Sequence, residues 1–189
     1  MDITNLIEVK TRQELRDWLE ENAATETFCW IVISSAKQID GIHYLDAVEE
    51  AMCFGWIDGI QKKLPSGELA QRFSPRRKNS NWTELNKERV RRLEKMGLMR
   101  ESGRQVLPDM SPGSFKIDPE IEERLKADEE LYQNFLALPE LYRRIRLDNI
   151  QGNENQPDLF NRRLDKFISN TRDNKLYGQW NDNGRLIDY

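Results

Sequence analysis

One histidine, His43, and two cysteines, Cys29 and Cys53, are all that this 189-residue sequence offers of the side chains that usually bind transition metals or relay protons near neutral pH. A zinc site of nitrogen and sulfur ligands cannot readily be assembled from so few, and a histidine-dependent triad has a single candidate. The cysteines lack CxxC spacing and lie in apolar runs, so they read as buried thiols rather than as a disulfide or redox pair. No stretch approaches the roughly 20 apolar residues that span a bilayer, and the N-terminus lacks a basic segment followed by an apolar one. The expectation is a cytoplasmic protein with no membrane span, no metal and no cofactor. Internal repeats and low-complexity tracts are also missing.

What the chain has is charge, unevenly spread. Charged residues make up 33% of it, yet five Trp, seven Phe and five Tyr supply enough apolar surface to fold. Residues 1–61 hold 4 basic and 12 acidic side chains, residues 62–104 hold 13 and 5, and residues 105–189 hold 12 and 16. A net charge of -4 therefore hides a basic middle third between acidic flanks. Such an arrangement argues against a general nucleic-acid coat and favours a local anion site. The plainer alternative is that the middle third pairs with the acidic N-terminal third.

Local patterns predict an α+β fold: a small antiparallel sheet packed with helices in the N-terminal two-thirds, and a mainly helical C-terminal region. Thr11 to Glu14 forms a capping-box pattern ahead of a helix over 12–22, and residues 26–34 read as a buried strand. Residues 44–54 form an amphipathic helix, with Asp46, Glu49 and Glu50 on its polar face. Strands over 56–64 and 68–74 are joined by a Pro65-Ser66-Gly67 turn. A helix over 82–96, capped by Ser80 or Asn81, precedes a shorter one over 99–107. Further helices are expected at 119–127, 129–137, 139–150 and 158–171, with a short hairpin around Asn181 to Gly184. In domain terms, residues 1–110 are the α+β core, 111–127 a linker and short helix, and 128–189 a helical region packed on the core as one compact unit.

The helix over 82–96 carries a misfit. At about 100° per residue, Trp82, Leu85, Leu93 and Met96 share a face and Arg89 falls at its centre, with Asn86 at the edge. A guanidinium on an apolar face must be paired. Its partner is either an internal carboxylate, with Asp58 the nearest candidate, or the carboxylate or phosphate of a ligand. A second feature is the strand that runs through Arg72 into the basic loop Arg76-Arg77-Lys78 directly before a helix, with Lys62 and Lys63 on the neighbouring strand and Trp56 and Trp82 nearby. The candidate ligand-binding set is thus Trp56, Asp58, Lys62, Arg72, Arg76, Arg77, Trp82, Asn86 and Arg89. If there is catalysis, Asp58 is the candidate acid or base, alone or in a carboxylate pair with Glu50. Ser74 and Cys53 lack the setting of an activated nucleophile.

The run Ala51-Met52-Cys53-Phe54-Gly55-Trp56-Ile57-Asp58-Gly59, then Gln61-Lys62-Lys63, Gln71 to Arg77 and the segment Ser80 to Val90, resembles the YdeI/OmpD-associated, or bacteriocin-protection, family. So do Phe135, Leu138, Pro139, Tyr142, Arg143 and Arg144, and the later pair Arg162 and Arg163. Gln151-Gly152-Asn153 and the tail from Leu176 to Tyr189 depart from the family pattern. The resemblance implies a role in tolerance to bacteriocins, cationic antimicrobial peptides or envelope stress, without a defined catalytic activity. Three functional readings follow. The first is a binding protein for a small anionic ligand. The second is an enzyme acting on a phosphorylated or carboxylated metabolite, and the third is a module that docks its basic loop on an acidic protein partner or, less in keeping with the charge distribution, on nucleic acid.

Overall fold

The computed structural model describes residues 3–34 and 41–189, which form two compact units. Unit 1 comprises Met1–Asn81 and Arg89–Pro108; unit 2 comprises Trp82–Glu88 and Asp109–Tyr189. The fold is α+β: a four-stranded sheet with helices in the N-terminal part and a helical C-terminal part.

In unit 1 the strands β1 (Leu6–Ile7), β2 (Cys29–Val32), β3 (Trp56–Lys63) and β4 (Leu69–Pro75) lie in the order β1-β2-β4-β3. The β2–β4 and β4–β3 pairs are antiparallel, as the pattern predicts; β1 adds a parallel edge that its two residues were too short to announce. The β3–β4 hairpin closes through Leu64 N–H to Glu68 O at 2.8 Å, and Gly67 takes φ +94, a region that L side chains avoid. A bulge interrupts the β3–β4 register between Asp58 and Gln61, and the Gln71 side chain donates to Gly59 O at 2.8 Å there.

Helix α1 (Arg12–Asn22) begins with the expected capping box between Thr11 and Glu14 and buries Leu15 and Leu19. Helix α2 (Tyr44–Cys53) corrects the sequence reading. It is not half solvated: Glu49 is 0% and Glu50 1% exposed, along with Ala47, Val48, Ala51, Met52 and Cys53. The two carboxylates are buried because cations meet them. Arg12 pairs with Glu50 and, at 2.7 Å, with Glu49; Arg16 reaches Glu50 at 2.7 Å, and Arg92 reaches Glu49 at 2.9 Å. Burial pulls the Arg12 guanidinium down, but Glu50 and Glu49 more than offset this and leave it above its ordinary value.

Helix α3 (Glu84–Lys95) starts two residues later than predicted. Thr83 Oγ1, rather than Ser80 or Asn81, accepts from the Asn86 N–H at 3.2 Å. Its buried residues in unit 1 are Val90 and Leu93, whereas Met96 is 50% exposed. The expected helix over 99–107 shrinks to α4 (Glu101–Arg104).

In unit 2 the helices α5 (Pro119–Lys126), α6 (Glu129–Ala137), α7 (Glu140–Gln151) and α8 (Pro157–Arg172) enclose a core that includes Ile121, Leu131, Phe135, Tyr142, Phe160 and Phe167. The tail after α8 forms turns rather than the predicted hairpin. It lays Tyr177 and Trp180 against Tyr142 at ring distances of 6.3 and 5.5 Å, and the Tyr177 N–H donates to Tyr142 Oη.

Asp148 of α7 caps α3 from a distance, because its Oδ2 accepts the Glu84 N–H at 3.1 Å. Burial raises its carboxyl above the ordinary aspartate value; the hydrogen bond from the Glu84 N–H works against the rise, and the charge of Glu84 adds to it. A raised pKa means that the folded state holds the proton more tightly. The contribution of Asp148 to stability is therefore fully present below the unfolded value, about 3.9, and is lost as pH rises through the folded one. Asparagine keeps the accepting oxygen without the desolvated charge. Asp148→Asn should match or exceed the wild type in urea stability at pH 7, with the gap closing toward pH 4, whereas Asp148→Ala should lose about 1 kcal/mol. Equal losses in the two variants at pH 7 would show that the charge itself stabilises the fold.

Candidate functional site

The cross-strand register sorts the side chains of the sheet between its two faces. Asp58 lies opposite Phe73, which lies opposite Cys29; Trp56 is two residues before Asp58 and shares that face. This is the face that the helices cover. The Trp56 indole N–H donates to Ala23 O at 3.3 Å and its ring meets Trp18 edge-on at 5.9 Å, while Tyr44 at the start of α2 donates its hydroxyl to Asp58 Oδ2 at 2.7 Å.

The other face carries Trp30 opposite Arg72, and Val32 opposite Ala70 and Lys62. Here cations lie over rings. The Arg72 guanidinium sits 4.6 Å from the Phe28 centroid, and Lys62 Nζ lies 5.8 Å from that of Trp30. Asp58 is the only carboxylate in the sequences of β2, β3 and β4, and it points to the helix side.

Past the end of β4, Arg76 is buried at 5% exposure and donates from Nη1 to Ser80 Oγ at 3.2 Å and to Asn81 O at 3.0 Å. Burial lowers its pKa, and the charge of Asp58 partly offsets the loss. Arg77 is exposed in the loop that follows. The structure thus relates Asp58 to Tyr44 and Arg76, and places Lys62 and Arg72 together on the opposite side. Trp82 and Asn86 belong to unit 2, where Trp82 is buried and the Asn86 backbone closes the start of α3.

Arg89, half-buried, is the first residue of α3 that counts with unit 1, and Arg92, three residues on, meets the buried carboxylate of Glu49 there. Of the two acids of the suggested Glu50–Asp58 pair, Glu50 is held by Arg12 and Arg16, and Asp58 accepts from Tyr44. Cys53 is an unpromising nucleophile: burial and Glu50 push its thiol up to about 12. Cys29 is likewise a free, buried thiol raised by burial to about 12.

The reading of the sequence missed the buried Glu49–Glu50 pair, although Arg12 and Arg16, one helical turn apart and at the right distance to straddle neighbouring acids, were a signal for it. It also missed Arg144, which meets Glu84 at 3.0 Å and Glu88 at 2.5 Å inside unit 2, with Tyr189 donating its hydroxyl to Glu88 at 2.7 Å. No helix among the described residues is long and apolar enough to cross a membrane.

Comparison with known proteins divides the chain in two. Residues 7–106 match a family described as a domain of unknown function, DUF8412, and this segment contains strands β2 to β4 and the candidate site. Residues 114–174 match the family described as bacteriocin-protection, YdeI or OmpD-associated; they include Phe135 to Arg144 and the Arg162-Arg163 pair that resemble it. No curated protein and no solved structure matches. The chain therefore belongs to the DUF8412 family, and its residues 114–174 are similar to the bacteriocin-protection, YdeI or OmpD-associated family.

Proposed function

We propose that this is a cytoplasmic binding protein in the service of bacteriocin protection, holding a small phosphate- or carboxylate-bearing ligand on the basic face of its unit 1 sheet. The similarity of residues 114–174 to the bacteriocin-protection family supports a protective or stress-related role and supplies the setting. The observation that carries the ligand class is the placement of Arg72 and Lys62 on one sheet face, with Asp58 directed to the other.

On adjacent strands, two such side chains stand as diagonal neighbours about 7–8 Å apart, a spacing that one oxyanion with its water shell can bridge. The rings beneath them hold the cations in place, which lowers the ordering cost of binding. A guanidinium stacked on Phe28 keeps its edge donors available for a bidentate contact with two ligand oxygens.

A thermal-shift panel of phosphorylated and carboxylated metabolites tests this reading. At least one anion should raise the melting temperature of the wild type, by roughly RT ln(1 + [L]/Kd) in stability, and the rise should disappear in Arg72→Ala with Lys62→Ala. Equal shifts in wild type and variant would place the anion elsewhere.

A further inference from the structure

A second group of cations surrounds one ring in unit 2. Arg146 of α7 lies 4.8 Å from the Tyr177 centroid and 5.6 Å from that of Tyr142; Lys166 of α8 lies 5.0 Å from the Tyr177 centroid. The two charges are therefore within about 10 Å of each other. Arg163 stands three residues before Lys166 on α8, and so on the same side of that helix.

None of the three takes part in an ion pair among the described residues. The neighbouring acid Asp165 is engaged by Arg124. Arg146 donates from Nη2 to Gln179 O at 2.8 Å, and Arg163 donates from Nη1 to Asn149 O at 2.9 Å. Both acceptors are neutral carbonyls, so these bonds fix the guanidinium groups without neutralising them. Each keeps further N–H donors, and Lys166 keeps its ammonium donors.

Three like charges around one tyrosine repel one another, and an arrangement that fixes two of them through carbonyls retains that repulsion. By contrast, the depression in the same unit lined by Arg124, Asp165 and Arg172 has its cations satisfied, by Asp165 and Asp128.

We propose that Arg146, Arg163 and Lys166, gathered around Tyr177, form a second anion site, one that takes a phosphate group. Binding there relieves the repulsion and ties the tail to α7 and α8, because Arg146 already bonds the tail at Gln179 and Gly178 packs against its guanidinium. The ligand's charge, rather than an aromatic or apolar body, supplies recognition, so a compact phosphate or phosphomonoester fits better than a large apolar acid.

The 189-residue protein, labelled with nitrogen-15, is titrated with inorganic phosphate and in parallel with glycerol phosphate. Sodium chloride at matched ionic strength is the control. The Tyr177 and Gly178 amides should shift saturably with at least one phosphate compound, and the tighter of the two distinguishes a free phosphate from a phosphate ester. In Arg163→Gln with Lys166→Gln, which changes two side chains outside the core, the midpoint should weaken at least about tenfold, or 1.4 kcal/mol. Shifts that grow linearly as they do in chloride, or a midpoint unchanged in the double variant, would overturn the proposal. Because the unit 1 residues Arg72 and Lys62 are untouched, this outcome is independent of the sheet-face reading.

Discussion

Glu50→Ala should lower the urea stability of unit 1 by about 3–5 kcal/mol, the usual cost of removing one partner from a buried charge network. Glu50 is 1% exposed and accepts from both Arg12 and Arg16; with it gone, the one carboxylate that pairs with Arg16 among the described residues is the half-exposed Glu20, while its guanidinium stays largely buried. The loss reflects stranded charge more than the worth of the pair itself. For the same reason, Glu20→Ala, which breaks an exposed pair with Arg100, should leave the midpoint where it is. Equal midpoints for Glu50→Ala and wild type would mean that water or another acid reaches Arg12 and Arg16.

Gly103→Ala is the second large effect, and it is steric. A Cβ at Gly103 would lie 2.3 Å from Cys53 O and 2.8 Å from Cys53 C, both backbone atoms that a rotamer change cannot move aside. The close approach exists because α4 abuts the end of α2, where Arg100 N–H donates to Cys53 O at 3.0 Å. Relieving the clash requires α4 to move off α2, at about 3 kcal/mol on the scale of overpacked cores. Gly113→Ala, whose added carbon meets nothing within 4 Å, is the matched control and should melt with the wild type. Circular dichroism melts of the two variants settle the comparison; similar midpoints would show that the α2–α4 junction is soft.

Much of the fold could be read from local signals. The capping box at Thr11, the Pro-Ser-Gly turn between β3 and β4, and the prolines that open α5 and α8 each fix a boundary by chemistry within a few residues. What could not be read depends on partners distant in sequence. Glu49 and Glu50 look like solvated residues until Arg12, Arg16 and Arg92 arrive from two other helices. The start of α3 moved because Thr83 and the remote Asp148 cap it. Met96 was placed on a buried face by periodicity, but α3 ends at Lys95, just before it, and the residue is half exposed.

The candidate site was legible in its residue types more than in its geometry. Alternation along β3 and β4 separates Asp58 from Lys62 and Arg72 only once the bulge after Asp58 is known, since one extra residue flips every side chain beyond it. Neighbourhood in the sequence groups Trp56, Asp58, Lys62 and Arg72 in one candidate set, while the structure holds Trp56 and Asp58 against the helices and the two cations on the other side. The middle third's charge is partly spent internally, as the plainer reading anticipated: Arg92 meets Glu49 and Arg100 meets Glu20.

The measurement that tests the anion-binding sheet face most directly is residue-level mapping of a phosphate titration by amide chemical shifts on the intact protein. The account predicts saturable shifts at Ala70, Arg72 and Lys62, abolished by Arg72→Ala with Lys62→Ala while the spectrum otherwise stays folded. Shifts confined to Tyr177 and Gly178, or none that saturate, would contradict it.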